Sequence, residues 1–211
     1  MKYIYKTRWW MKWCYPSLFW EIKTKNKEVF LTFDDGPDPE VTPWVLDQLK
    51  AHKAKATFFC VGENVDKYPE LYKRILKEGH AVGNHTYNHL NGWETDCFKY
   101  IANVKKCGHT FSSHFFRPPH GRIKRKQIRK LKSHYKIIMW TLLSGDFDPQ
   151  ISPNECAYNT VQYTDPGSII VFHDSQKCKE TLKGALPKIL NHFSNCAWEM
   201  NSIDNQRFSK I

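Results

Sequence analysis

The feature that most constrains this chain is a rhythm. Short runs of β-branched and aromatic residues alternate with longer segments of helical periodicity along most of its length. Residues 28–33, 56–61, 80–83, 114–117, 136–141 and 167–172 read as strands, and 197–203 as a further one. Helical stripes lie between them: Val45, Leu46 and Leu49, then residues 68–77, 93–106, 122–136, 152–163 and 180–193. Thr42-Pro43 has the form of an N-cap followed by proline at the first helical position, and Gly79 stops the helix that ends at Lys77. Crossovers of this length predict parallel pairing, hence an α/β fold around a buried parallel sheet.

A second regularity is laid over the first. The polar clusters DDGPDP, HTYNH, RPPHG, GDFD and HDS each follow a predicted strand. In parallel α/β folds and barrels the loops after the strands gather at one face, and sites are built there. His85 and His89 are four apart, the spacing that puts two rings on one side of a helical turn, as in zinc-binding helices. In a chain with ten histidines that pair means little alone. Asp34 and Asp35 sit in a tight Gly-Pro turn, where acidic residues are common for purely structural reasons. Two adjacent carboxylates can also divide labour, one ligating a metal and one accepting a proton. A His₂-carboxylate set leaves coordination room for water and substrate.

Taken in order, the five clusters resemble the polysaccharide deacetylases, carbohydrate esterase family four. LTFDDGPDP, GNHTYNH, FRPPHG, WTLLSGDF and IIVFHDS are similar to the family's five motifs and span residues 29–175. The resemblance implies a distorted, incomplete (β/α) barrel with parallel strands. It implies hydrolysis of the N-acetyl amide of amino-sugar glycans, peptidoglycan or chitin-like oligosaccharides, with release of acetate. It assigns Asp35, His85 and His89 to one divalent metal, zinc in the first instance, with cobalt or another divalent ion as substitutes. Asp34 would be the general base, Arg117 the partner that orients it, and His173 the general acid. The backbone N–H of His120 would hold the oxyanion, and Pro119, Phe147 and Val171 would line the substrate pocket. Two other readings stay open: a deacylase of another N-acyl or N-formyl sugar or of a non-glycan amide, and a catalytically weakened glycan-binding homologue.

The fourth cluster departs from the family. Leu143 stands where the resemblance expects an aspartate partner for His173, so Asp146 or Asp148 would have to substitute through a shifted loop. Phe147 replaces a tryptophan and His120 a tyrosine.

Composition narrows the partners. A formal charge of +11 favours anionic surroundings, a peripheral membrane or an anionic polymer. The densest basic stretch, 122–136, interleaves Ile123, Ile128 and Leu131 and reads as a solvated helix face, with no motif for nucleic acid. Seven cysteines without a Cys-x-x-Cys pair point to a reducing compartment rather than a disulfide scaffold or a zinc knuckle. The aromatic and basic N-terminal stretch holds no apolar run long enough for a signal peptide or a membrane span. The expectation is a monomer, cytoplasmic or membrane-peripheral, with residues 1–27 packing on a catalytic domain of residues 28–211.

Overall fold

A computed structural model describes residues 5–205. The chain runs α1 (Trp9–Cys14), β1 (Glu28–Asp34), α2 (Val41–Ala51), β2 (Ala56–Cys60), α3 (Gly62–Lys67), α4 (Pro69–Lys77), β3 (Ala81–Asn84) and α5 (Cys97–Thr110). It continues through β4 (Phe115–Phe116), α6 (Arg125–Leu131), β5 (Lys136–Ile137), β6 (Leu142–Leu143), α7 (Pro153–Gln162), β7 (Ser168–His173), α8 (Lys179–Asn195) and β8 (Glu199–Met200). The strand order is β5-β4-β3-β2-β1-β7-β6, with β8 beside the start of β1. Every ladder is parallel. The sheet curls into the expected incomplete barrel.

The central strand β1 is buried at all its positions, and its run 29–33 is apolar except for Thr32. The pleat splits that run between two cores. Val29, Leu31 and Phe33 face outward onto Val45, Leu46 and Leu49 of α2 and Leu186 and Leu190 of α8. Phe30 faces inward with Phe59, Ile138 and Ile169. The same alternation carries Thr32 and Asp34 onto the inner face, opposite Val171 and His173 of β7. Catalytic candidates therefore stand at the top of a barrel whose floor is apolar.

Strands β5 and β6 are the two ends of the sheet. The segment ahead of β1 lies along both. Phe19 bridges Ile138 in parallel and Lys6 bridges Leu142 in antiparallel sense. The Phe19 N–H donates to the Ile137 carbonyl at 2.9 Å and the Thr7 N–H to the Thr141 carbonyl at 2.8 Å. Leu18, Trp20 and Ile22 are buried there. Unpaired strand edges invite aggregation, and this segment covers two of them. Residues 1–4 and 206–211, the outer ends of the expected two-part division, lie outside the described residues.

Several boundaries differ from the periodicity. Helix α5 starts at Cys97, because the Asp96 carboxylate accepts from the N–H groups of Phe98 and Lys99 at 2.8 and 3.2 Å. Helix α2 starts at Val41 and its first N–H groups go to Asp38, not to the expected Thr42 cap. The basic stretch is helical only over Arg125–Leu131, with Gln127, Ile128 and Leu131 buried and Arg125, Lys126, Arg129 and Lys130 exposed. The pattern did not announce α1, α3 or β6, which are two to six residues long and held by tertiary contacts. Among the described residues no helix is long and apolar enough to cross a membrane.

Candidate active site

Asp35, His85 and His89 converge. His89 Nε2 lies 3.0 Å and His85 Nε2 3.6 Å from Asp35 Oδ1, and the three donor atoms fall within 4.8 Å of one another. A helical turn does not bring the two histidines together, contrary to the spacing argument. They sit in a loop after β3, with Thr86 at φ 66° and His89 at φ 55°. A left-handed β-branched residue is a rare conformation and needs support. The Thr86 N–H donates to Asn84 Oδ1 at 2.8 Å, and the Thr86 carbonyl accepts from the Gly62 N–H at 3.0 Å. Thr86 Oγ1 accepts from the Leu90 N–H at 3.1 Å.

The chemistry of this donor set fits a divalent cation. His85 Nδ1 lies 2.8 Å from the Arg117 carbonyl, an oxygen that only accepts, so Nδ1 carries the proton. The lone pair on Nε2 then faces Asp35, an arrangement typical of a metal-ligating histidine. Burial brings the His85 imidazole down to about 4, with Asp34 opposing, and keeps it neutral. Burial pushes the Asp35 carboxyl up, but the hydrogen bond from His89 and the charge of His173 outweigh it and hold it below the usual carboxylate range. Two imidazole nitrogens and one carboxylate oxygen are a donor set that suits a zinc-type site.

Asp34 stands beside this cluster on the inner face of β1. Its Oδ1 accepts from Arg117 at 2.7 Å, and its Oδ2 lies 4.0 Å from His85 Nε2. Arg117 is fully buried, and every polar nitrogen has a partner. Besides Asp34 it donates to Thr32 Oγ1 at 2.7 Å, to the Ile138 carbonyl at 3.2 Å and to the Met139 carbonyl at 2.9 Å. The guanidinium also sits 4.0 Å over the Phe59 ring. A buried cation without such partners would cost several kcal/mol, about 3–5 when one partner is removed. Thr32 is a contributor that the motifs did not single out. Its signal was the alternation of β1, which puts residue 32 on the face of residue 34.

His173 has its carboxylate. Its Nδ1 lies 2.9 Å from Asp146 Oδ1, and the His173 backbone N–H donates to Asp146 Oδ2 at 2.7 Å. The expected deficit at Leu143 is thereby corrected. Leu143 pairs with Val171, two residues below His173, and Asp146, one of the two expected substitutes, meets the ring. Gly145 at φ 89° turns the chain so that Asp146 reaches the ring, and Ser144 Oγ donates to its Oδ1 at 3.0 Å. Asp148 instead accepts from the Gln150 N–H. Burial would lower the His173 imidazolium, but Asp146, with Asp35 and Asp34, outweighs it and the pKa is raised to about 10. Cys178 lies near this pair, and burial pushes its thiol up to about 12.

The remaining candidates differ in access. His120 is at φ 57° in the 3-10 turn Pro119–Gly121, and its ring meets His89 edge-on at 4.7 Å. Its backbone N–H has no acceptor among the described residues. Phe147 is 40% exposed and meets the His173 ring edge-on at 5.4 Å. Val171 is 1% exposed and Pro119 is buried, so these two offer a substrate little surface. Sequence reasoning also passed over Asp174. Its carboxylate accepts from the Gly36 N–H and the Thr42 hydroxyl and ties β7 to the loop that carries Asp35. Among the described non-glycine residues at positive φ, Asp35, Thr86, His89 and His120 all belong to this site, the usual place for such strain.

Comparison with known proteins agrees with this geometry. The family model described as polysaccharide deacetylase matches residues 21–136. A peptidoglycan-N-acetylglucosamine deacetylase of Bacillus cereus is 39% identical over 155 residues, 70% of this chain and 56% of that protein. The chain thus spans little more than half of that relative. A second protein of the same description and organism is 37% identical over 181 residues, 81% of this chain and 84% of the relative. Among solved structures, a peptidoglycan N-acetylglucosamine deacetylase in complex with a hydroxamate-type benzamide superposes with a TM-score of 0.83 at 33% identity, covering 92% of this chain and 94% of that one. The half-barrel, the order of the five clusters and these matches lead to one statement: the chain belongs to the polysaccharide deacetylase family.

Proposed function

We propose that the chain hydrolyses the N-acetyl amide of amino-sugar glycans, of peptidoglycan or chitin-like oligosaccharides, and releases acetate. The observation that carries this reading is the convergence of Asp35, His85 and His89 between two prepared proton carriers, Asp34 on Arg117 and His173 on Asp146. The names of the relatives supply the glycan class.

In this reading Asp35, His85 and His89 hold one divalent metal, zinc by the nature of its donors. A bound divalent ion supplies Lewis acidity, polarising the acetyl carbonyl and acidifying water. Asp34 Oδ2 takes the proton of the attacking water, while Arg117 keeps the carboxylate aimed. The His120 N–H donates to the oxyanion of the tetrahedral intermediate, a contact worth about 3–4 kcal/mol in comparable sites. The His173 imidazolium gives its proton to the amide nitrogen, the C–N bond breaks, and the free amine leaves with acetate as the other product. Phe147 walls the His173 side of the pocket. The intact His173–Asp146 pair favours catalysis over a weakened glycan-binding role.

Acetate release from acetylated oligosaccharides, with zinc or cobalt supplied, tests the activity, and metal analysis tests the site. Asp34→Asn is expected to abolish turnover and leave metal stoichiometry unchanged. Turnover of non-glycan amides with none of N-acetyl glycans would reassign the substrate. Bound metal with no turnover of either class would refute hydrolysis.

A further inference from the structure

We propose that α1 and the exposed face of α6 form a docking surface for an anionic phospholipid bilayer. Helix α1 buries none of its residues, although three of its six are tryptophan. Trp9 and Trp13 are each 78% exposed and Trp10 46%. Tryptophan is normally packed, and a side chain of this kind carries about 150–250 Å² of surface. Exposed apolar patches of several hundred Å² on a monomer mark interaction sites. Trp9 and Trp13 are four apart on a helix and share one face. The segment is no loose tail: the Lys6–Leu142 and Phe19–Ile138 bridges pin it on either side of α1.

The charge carried by α1 and α6 themselves has one sign, although Lys12 is paired with Glu21 and Asp96 borders a groove beside Lys126, Arg129 and Lys130. The Arg125 guanidinium lies 5.7 Å over the Tyr15 ring, and Arg125, Arg129 and Lys132 line a shallow groove against Tyr15 and Pro16. Residues 5–20 and 122–136 contain no aspartate or glutamate. The occupant must therefore be anionic and must also take up exposed indoles. A bilayer with acidic head groups does both at once, since tryptophan prefers the head-group boundary and basic side chains the phosphates. A soluble polyanion would engage the cations and leave the indoles in water. A second copy of the chain would set +11 against +11. The surface is separate from the metal cluster and does not rest on the proposed activity.

The test uses the full chain with phosphatidylcholine vesicles, with and without phosphatidylglycerol, read by co-sedimentation and by quenching of tryptophan emission with brominated lipid. The parent is expected to bind the anionic vesicles about tenfold or more tightly than the neutral ones, with quenching. W9S/W13S and R125E/R129E are each expected to lose about tenfold or more. Circular dichroism and thermal unfolding matching the parent establish that the variants are folded, and brominated-lipid quenching of the parent reports insertion without any variant. Failure of the parent to prefer anionic vesicles would overturn the proposal. So would W9S/W13S binding as well as the parent, which means adsorption to any polyanion. A parent dimer that W9S/W13S dissociates, without vesicle binding, would make this face a self-association surface instead.

Discussion

Asp146→Asn isolates the part of the site that the structure changed most. Burial lowers the His173 imidazolium, and Asp146, with Asp35 and Asp34 behind it, outweighs burial and raises it from an ordinary 6.5 to about 10. That difference corresponds to about 5 kcal/mol at about 1.4 kcal/mol per unit. The His173 side chain is only 17% exposed, so solvent screening removes little of it. Asparagine keeps the shape and removes that charge, leaving burial opposed only by Asp35 and Asp34, so the imidazolium is less favoured. Once the pKa lies below the assay pH, each further unit of fall removes about tenfold of the acid form. A divalent cation in the cluster disfavours the imidazolium in parent and variant alike, so the difference between them is the quantity to read. The assay is the pH dependence of kcat/KM for acetate release from an acetylated oligosaccharide. The alkaline limb of the variant is expected to move toward acid by at least about one and at most about three pH units, with the acidic limb in place. An alkaline limb that stays put would refute the assignment of His173 as the proton donor or of Asp146 as its tuner.

Other perturbations probe different parts of the molecule. Arg117→Met strands the Asp34 carboxylate and should lower stability by about 3–5 kcal/mol, visible as a lower midpoint in urea unfolding; pairing it with Asp34→Asn should recover part of that loss. His89→Ala should drop bound zinc well below one per chain in metal analysis while the fold persists, since His89 is half-buried and outside the apolar cores. Gly36→Ala would place a methyl group 2.2 Å from an Asp174 carboxylate oxygen, and overpacking of this kind costs about 1–3 kcal/mol, read as a lower Tm. In the metal-free chain His80 and His85 are each held down to about 4, so the unfolded state binds more protons and stability falls as pH drops from 6.5 toward 4. His173 behaves oppositely: its contribution is complete below 6.5 and is lost as pH rises through about 10, so unfolding midpoints should decline on both sides.

Much of this was legible without coordinates. The alternation of strand and helix determined the parallel α/β architecture, because a strand buried on both faces must be apolar along its length and a parallel neighbour needs a long crossover. The position of the five polar clusters after strands determined that they share one face. The sequence could not say how the loops turn. His85 and His89 meet through a left-handed Thr86, not through a helical turn, and that conformation depends on Asn84, Gly62 and Leu90 from elsewhere in the fold. Asp146 rather than residue 143 reaches His173, because strand pairing with Val171 sets where the sheet ends and Gly145 sets the direction afterwards. Short elements such as β6 and α3 carry too few residues for a periodic signal, and only long-range hydrogen bonds decide them. Periodicity reports which face of an element is buried; it takes the assembled barrel to decide which side chains meet above it.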